Sequence, residues 1–298
     1  MKKGLILTNA YANLAPFSNQ ANRLKEELEK LGVSVDVLKN DGFFAFINEN
    51  GETQTSLLDY DFCVYLDKDK YISQMLEKQG MRLFNSHQAI VDCDDKAVTF
   101  IHLANNGIPM PVTLFGLLCF TPEEKVHTQT LDKIEKTLGY PLIAKACFGS
   151  LGKDVYKIED RKQLEEITQK LKCKPHLFQQ FIGESAGKDI RVIVVGGKVA
   201  ATMLRKSETD FRSNIELGGI GSPIEIPKSL TQTCEKISNL LRLDYCGIDV
   251  LFGKNGYLIC EVNSNAFFGG IEKVTNVNVA KLYAEHIFKE IYKKQEKA

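Results

Sequence analysis

The sequence predicts a small N-terminal α/β domain followed by an α+β region. Three observations carry this. Over the first 88 or so residues, single apolar strands alternate with helical stripes, the pattern of a sheet covered by helices. From there to about residue 184, helices and strands are separated by glycine- and proline-marked loops. From Asp189 onward, short strands arrive in pairs joined by glycine turns, the pattern of antiparallel hairpins. With 298 residues, 44% of them hydrophobic, the chain has material for two domains or one subdivided domain.

Taken in order, residues 4–8 are a short apolar strand. Ser18 is placed to cap a helix running to about Leu31, with Leu24, Leu28 and Leu31 on one stripe and Gly32 ending it. Residues 33–38 alternate as a second strand, and 43–47 and 53–56 flank N-E-N-G as a hairpin. Residues 62–66 and 81–84 are further strands with a helix between them. One helix is expected over residues 94–106, stopped by Gly107-Ile108-Pro109. Residues 111–115 are extended, 128–138 helical, 141–146 a strand, 149–152 a loop, 154–158 a strand, 161–171 a helix and 176–180 a strand. Beyond Asp189, strands 190–195 and 199–204 flank the turn Gly196-Gly197. Residues 218–221 read as a flexible loop, 228–241 as a helix, 246–252 and 257–262 as a hairpin, and 278–292 as the last helix.

Composition excludes several classes. Lysine plus arginine and aspartate plus glutamate both number 38, so no bulk field points to nucleic acid or a membrane surface. The first apolar run is too short for a secretory segment. No stretch approaches the roughly 18–20 apolar residues a membrane helix needs. The 8 cysteines are scattered without a C-x-x-C, which favours free thiols in a reducing compartment over zinc or a redox pair. A cytoplasmic location is expected.

Function has to be read from local constellations. In G-I-D-V-L-F-G-K-N-G-Y-L-I-C-E-V-N, Glu261 and Asn263 are two apart and share a strand face. A three-residue loop over 254–256 would set Asp249 opposite Glu261. A two-residue loop would set it opposite Cys260 on the other face. In the first register two carboxylates lie about 5 Å apart and repel unless a cation lies between them. Asp, Glu and Asn supply only oxygens, which suits Mg²⁺ or Mn²⁺; a solvated polar edge is the plain alternative. In P-L-I-A-K-A-C-F-G-S-L-G-K, Lys145 ends an apolar strand and Gly149 and Gly152 follow in a loop whose backbone N–H groups can meet phosphates. The spacing is not that of a Walker A loop, and a surface turn beside a chance lysine is the alternative. Arg205, Lys206, Arg212 and Asn214 supply forked and amide donors for a substrate acid or a phosphoryl group, with Glu208 and Asp210 nearby to balance them as a charged loop. Asp189 and Arg191 of D-I-R could equally be a structural ion pair.

Together and in order, K-A-C-F-G-S-L-G, Q-Q-F-I, K-D-I-R-V-I-V-V-G, D-F-R-S-N, G-I-D-V-L, E-V-N-S-N and G-G-I-E-K resemble the ATP-grasp fold. More narrowly they resemble the RimK-type amino-acid ligases, which add L-glutamate or similar amino acids to a protein or small-molecule carboxylate. The resemblance covers nearly the whole chain, including N-S-H-Q-A-I-V-D-C-D-D-K. It implies an α/β domain over residues 1–88, an ATP-grasp subdomain with a lid loop over 89–184, and a C-terminal subdomain with the metal site over 185–298. It implies that Lys96 and Lys145 touch ATP phosphates, that Gly149 and Gly152 belong to the lid, and that Gln180 and Phe181 hold adenine largely through backbone groups. Asp189 then lies on the ribose side, and Arg205 near the γ-phosphate. Arg212, Ser213 and Asn214 meet the phosphates and the reacting carboxylate. Asp249, Glu261 and Asn263 ligate Mg²⁺ or Mn²⁺, two ions in all.

The implied reaction forms an acyl phosphate that an amine attacks, releasing ADP and phosphate. The implied partners are ATP, an amino acid, a carboxylate-bearing acceptor and further copies of the chain. No protein nucleophile is needed, in keeping with the absence of a Ser-His-Asp or Cys-His signature. Two departures touch specificity: Gln180 stands where the family usually has glutamate, and Ser264-Asn265-Ala266-Phe267 stands where it commonly has A-S-P-G. A dipeptide- or glutathione-type ligase of the same superfold and a non-catalytic ATP-binding module are the competing readings.

Overall fold

The computed structural model describes residues 2–57, 59–149, 152, 154–213 and 218–293. The chain opens with β1 (Lys3–Thr8), α1 (Ala15–Lys30), β2 (Ser34–Lys39), β3 (Ala45–Ile47), β4 (Thr53–Thr55), β5 (Phe62–Leu66), α2 (Lys70–Lys78) and β6 (Arg82–Phe84). The runs in β1 and β5 are buried on both faces, which suits a parallel sheet covered by helices. The sheet order is β2-β1-β5-β6, all parallel, while β3 and β4 form the expected hairpin. Leu24 and Leu28 of α1 pack with Ile6 and Val64 on one face; Leu76 of α2 packs with Leu5, Leu7 and Cys63 on the other. α1 starts earlier than Ser18, because Pro16 in the first turn is pre-set for a helix. Ser18 lies inside the helix and donates its hydroxyl to the Ala15 carbonyl.

The single helix expected over residues 94–106 is two, α3 (His87–Asp94) and α4 (Lys96–Leu103). Asp95 takes extended backbone (φ −91°, ψ 107°), and its carboxylate accepts from the N–H groups of Ala97 and Val98. An Asp in that role starts a new helix rather than continuing the old one. The break puts Lys96 at the first turn of α4, beside the site.

A second sheet follows, made of β7 (Thr113–Phe115), α5 (Thr128–Leu138), β8 (Leu142–Ala146), β9 (Val155–Ile158), α6 (Arg161–Leu171) and β10 (His176–Gln180), with strand order β7-β10-β8-β9. Leu142, Ala144 and Phe178 pack on Leu131 and Ile134 of α5 and Leu164 of α6. Alternation turns Ile143, Lys145 and Gln179 to the opposite face.

The third sheet has the order β13-β12-β11-β14-β15. It is built from β11 (Lys188–Val195), β12 (Lys198–Lys206), β13 (Ile220–Pro223), α7 (Lys228–Leu240), β14 (Tyr245–Gly253), β15 (Gly256–Asn263), α8 (Gly269–Thr275) and α9 (Val279–Lys293). Gly196 and Gly197 both have positive φ, as the mirror-image two-residue hairpin turn requires. The loop expected at 218–221 is partly strand: β13 pairs with the end of β12, Leu204 opposite Ser222. The sequence reading also missed α8, which is only seven residues long.

Ile190, Val192, Ile248 and Val250 pack on Leu230, Cys234 and Ile237 of α7. The opposite face has two halves: Ile193, Ala201, Met203 and Tyr245 join the core shared with α1 and α9, while the other half is charged. All eight cysteines are free thiols. Among the described residues, no helix is long and apolar enough to cross a membrane.

Two polar residues tie the first sheet to the third. Buried Asn85, just after β6, donates to the carbonyls of Tyr245 (2.8 Å) and Ser264 (2.9 Å) and accepts from the N–H groups of Asp244 (2.7 Å) and Tyr245 (3.0 Å). Glu27 of α1 accepts from Asn278 (3.0 Å) at the foot of α9, from Lys30 (2.9 Å) and from Arg23 (3.3 Å). The Asn278 bond, joined by the Lys30 and Arg23 charges, outweighs burial and holds the Glu27 carboxyl below the usual range. A lowered folded pKa means that this contribution is present above the unfolded value of about 4.3 and is lost as pH falls through the folded one. Glu27→Gln should therefore destabilise the chain by about 1–2 kcal/mol at pH 7. The gap from the parent in thermal unfolding should shrink progressively as pH falls below the unfolded value of about 4.3; a gap that does not change with pH would show that charge plays no part.

Candidate active site

A cavity of about 510 Å³ lies between the facing sides of the second and third sheets. The first sheet reaches it with Asn9, Leu66 and Asp67 from the ends of β1 and β5.

The carboxylates owe their placement to an irregularity. β14 and β15 turn at two residues, Lys254-Asn255, with Gly253 opposite Gly256. Simple alternation from that turn would set Asp249 against Cys260. The ladder instead slips: Val250 pairs with Ile259 and Asp249 with Glu261. Cys260 is the extra residue of a β-bulge, and it faces the cavity together with Glu261. The turn is thus that of the two-residue alternative, and the carboxylate pairing that of the three-residue one. Burial pushes the Cys260 thiol up to about 11, which disfavours a free thiolate there near neutral pH.

Four charges alternate across β12, β11 and β14. Arg191 grips Asp249 (Nε–Oδ1 2.5 Å, Nη2–Oδ2 3.0 Å), and Arg205 grips Asp189 (Nε–Oδ1 2.7 Å, Nη2–Oδ2 2.5 Å) while touching Asp249 Oδ1 at 3.0 Å. Asp189 and Arg191 are therefore not each other's partners; two apart on one strand, each pairs across to a neighbour. Burial raises both acids, but for Asp249 the two guanidinium groups outweigh it and the carboxyl falls below the usual range. Asp189 has one such partner and the Asp249 charge against it, so burial wins and its carboxyl stays raised. Arg205 is 3% exposed and does not line the cavity; it stands behind Asp189 and Asp249 rather than at the position expected for a phosphate contact. Gly247 makes room: a Cβ there would come within 2.4 Å of Ala266 and 3.3 Å of Arg191.

The lysines come from two directions. Lys145 is 5% exposed, and its Nζ donates to Gln179 Oε1 at 2.9 Å, while Gln179 donates to Thr113 at 2.8 Å. Lys145 is thus more enclosed than a strand-end lysine is expected to be. Lys96 Nζ lies 3.3 Å from Glu261 Oε1 and donates to the Gly149 carbonyl at 3.0 Å. At the other end of the glycine loop, Arg212 Nη1 donates to the Gly152 carbonyl at 2.6 Å while its fork holds Asp210. Gly149 (φ +127°) and Gly152 (φ +70°) occupy backbone space that favours glycine. Gln180, Phe181 and Ser213 also line the cavity. Asn214, and Ser150 and Leu151 of the loop, lie outside the described residues.

Sequence reasoning missed Gln179, the placement of Arg191, and Asn9 and Asp67. The first two were within reach of strand alternation, which puts Gln179 on the face of Lys145 and Arg191 on that of Asp189.

Asp249, Glu261 and Asn263 present oxygens from two neighbouring strands to one cavity, a donor set that fits a hard divalent ion. Among the described residues no three His, Cys, Asp or Glu side chains cluster as a metal site; the third oxygen here is an amide.

Residues 93–287 match the RimK-like ATP-grasp domain. The chain is 38% identical over 228 residues to human N-acetylaspartylglutamate synthase A, covering 75% of this chain and 56% of that protein, so it spans little more than half the length of that relative. It is 35% identical over 221 residues to a probable alpha-L-glutamate ligase of Maridesulfovibrio salexigens, covering 73% and 71%. The fold is similar to that of the ATP-grasp ligase PsnB complexed with minimal precursor, Mg and ADP, with a TM-score of 0.69 at 18% identity, covering 97% of each chain. With two thirds of its length matched to one domain and its sheets arranged as in that fold, the chain belongs to the RimK-like ATP-grasp family.

Proposed function

We propose that the chain is an ATP-dependent carboxylate–amine ligase that forms a carbon–nitrogen bond with release of ADP and phosphate. The observation that carries this is the facing of two sheets across one cavity, one presenting Lys145 and the other the Asp249–Glu261–Asn263 oxygens. ATP lies between them, with Lys96 and Lys145 at the phosphates, Gln180 and Phe181 at the adenine and Asp189 on the ribose side. Asp249, Glu261 and Asn263 would hold Mg²⁺ or Mn²⁺, two ions in the full site, which when bound neutralise charge on the phosphates. Arg212, with Ser213 and Asn214, holds the oxyanions of the reacting carboxylate and phosphoryl group, and Arg205 positions Asp189 and Asp249 from behind. The Gly149–Gly152 loop covers the acyl phosphate and keeps water from it.

The units of this reading are an N-terminal α/β domain over residues 1–88, an ATP-grasp subdomain with the lid loop over 89–184, and a C-terminal subdomain with the metal site over 185–298. L-glutamate is the amine substrate best supported, since both relatives' names contain it. The free thiols support a cytoplasmic setting.

With Mg²⁺-ATP, N-acetyl-L-aspartate or short peptides as carboxylates and each of the common L-amino acids as amine, ADP release is expected to be greatest with L-glutamate. The product mass should be the sum of carboxylate and amine less one water. ADP release in none of these combinations would discard the ligase reading. Lys145→Met keeps the length of a buried side chain and removes its charge, so it should weaken ATP binding at least ten-fold (about 1.4 kcal/mol) in a protein of unchanged circular dichroism; an unchanged Kd removes Lys145 from the nucleotide site. Arg212→Ala should lower kcat by about 10²–10³, the usual effect of removing one oxyanion donor, with ATP affinity within a few-fold. If Arg212 serves only its pair with Asp210, worth under about 1 kcal/mol at a surface, turnover will stay within a few-fold.

A further inference from the structure

The ligase reading leaves one buried acid in the cavity without a task. Asp67 follows β5 directly, is 7% exposed and lines the cavity. Its hydrogen-bond donors are all neutral: Asn9 Nδ2 to Oδ1 and Oδ2 (3.1 and 3.2 Å), Asn40 Nδ2 to Oδ2 (2.9 Å) and the Lys68 backbone N–H to Oδ1 (2.7 Å). The Lys68 ammonium turns away to Asp94 at 2.9 Å. Among the described residues Asp67 has no cationic partner. Burial raises its carboxyl above the ordinary range, and the nearby Asp69 charge adds to that. Every other acid of the cavity has a cation against it: Asp189 has Arg205, Asp249 has Arg191, and Glu261 has Lys96.

The surroundings of Asp67 are fixed. Asn9 accepts the Tyr11 N–H on its own carbonyl oxygen, and Asn40 accepts the Ala10 N–H on its own, both at 2.8 Å. Both amides are thereby oriented with their N–H ends towards Asp67 and their oxygens away. Such a shell of donors suits a carboxylate but offers a metal ion no further oxygen, which points to a ligand bringing one positive charge and its own hydrogen-bond donors.

The position in the fold agrees. β1 lies between β2 and β5, and the chain passes from β1 to β2 on one side and reaches β5 on the other. α1 packs on one face of this sheet and α2 on the other. Asn9 and Asp67 stand just beyond the carboxyl ends of β1 and β5, at the point where the strand order reverses, where open parallel sheets form a ligand crevice. An aromatic pair from two parts of the chain, Phe17 and Phe267, meets edge-on at 4.8 Å and walls the same cavity.

We propose that Asp67 binds the ammonium group of the amine substrate, with Asn9 and Asn40 as its positioning residues, so that the first sheet selects for a primary amine. This assignment rests on the ligase reading. Asp67 supplies the negative charge missing for an ammonium in a cavity whose other acids are already paired. The ammonium in turn supplies the cation that a buried carboxylate otherwise lacks.

The test uses the full chain. The amine that releases most ADP in the amino-acid panel is varied at saturating Mg²⁺-ATP and carboxylate, for the parent and for Asp67→Asn. The expected result is a KM for the amine raised at least ten-fold, with the KM for ATP within three-fold. An amine KM within three-fold of the parent, in a variant that still binds ATP normally, overturns the assignment and leaves the ligase reading standing. No amine-dependent ADP release from the parent overturns both. Should Asp67→Asn not fold, the parent is tested against the α-hydroxy acid corresponding to the accepted amino acid, which lacks the ammonium. A Ki at least ten-fold above the amine KM supports the assignment, and a Ki equal to that KM overturns it.

Discussion

The alternation of Asp189, Arg205, Asp249 and Arg191 across three strands is the constraint to which the rest of the third sheet is fitted. Two acids and two guanidinium groups sum to zero; removing Arg205 strands Asp189 and removing Asp249 strands Arg191, each leaving a buried charge unpaired at a cost of about 3–5 kcal/mol. The ladder also divides one sheet face. Its charged half opens on the cavity, and its apolar half continues into the core that holds α1 and α9. Because Asp249 receives two guanidinium groups and Asp189 one, the acid on β14 is the one held more firmly as a carboxylate.

The cations facing the cavity are likewise engaged before any phosphate arrives. Lys96 reaches the Gly149 carbonyl and Glu261, Arg212 reaches the Gly152 carbonyl and Asp210, and Lys145 reaches Gln179. Under the proposed placement of ATP, binding would be an exchange of partners rather than an addition of contacts, so its affinity would be a difference between two sets of hydrogen bonds. Two of the partners given up are the carbonyls at the ends of the glycine loop.

Much of this was legible in the sequence. Strong periodicity located α5, α6 and β10 to the residue, because each is a pure pattern bounded by turn residues. The glycine loop, Lys145 and the acid–amide strand stood out for the same reason, since polar residues interrupt apolar runs at fixed spacing. The failures have local causes. The break at Asp95 depends on a side chain capping its own backbone, which competes with helix continuation and leaves the apolar period intact. β13 is an edge strand whose pairing depends on β12 and not on its own composition. The face of Glu261 depends on a bulge, which shifts alternation by one residue without changing the composition of the strand. The burial of Arg205 behind Asp189 and Asp249 was not legible, because proximity in sequence says nothing of whether a guanidinium is enclosed by its partners. Asp67 was passed over because a lone acid after a strand is unremarkable until the crossing of the chain sets it beside Asn9 and Asn40.

The bulge at Cys260 also bears on where this chain can be lengthened. Four residue pairs separate it from the tip of the hairpin, and Lys254 and Asn255 at that tip are exposed. The pairing of Asp249 with Glu261 is set inside the ladder, so the tip need not keep its length to hold those side chains in place. Closure entropy grows only with the logarithm of loop length, so lengthening this two-residue turn to about ten residues costs roughly 1.4 kcal/mol. An epitope or fluorophore-bearing peptide inserted between Lys254 and Asn255 would therefore be carried as a solvated appendage, giving a labelling handle on the strand that bears Glu261 and Asn263 without disturbing either.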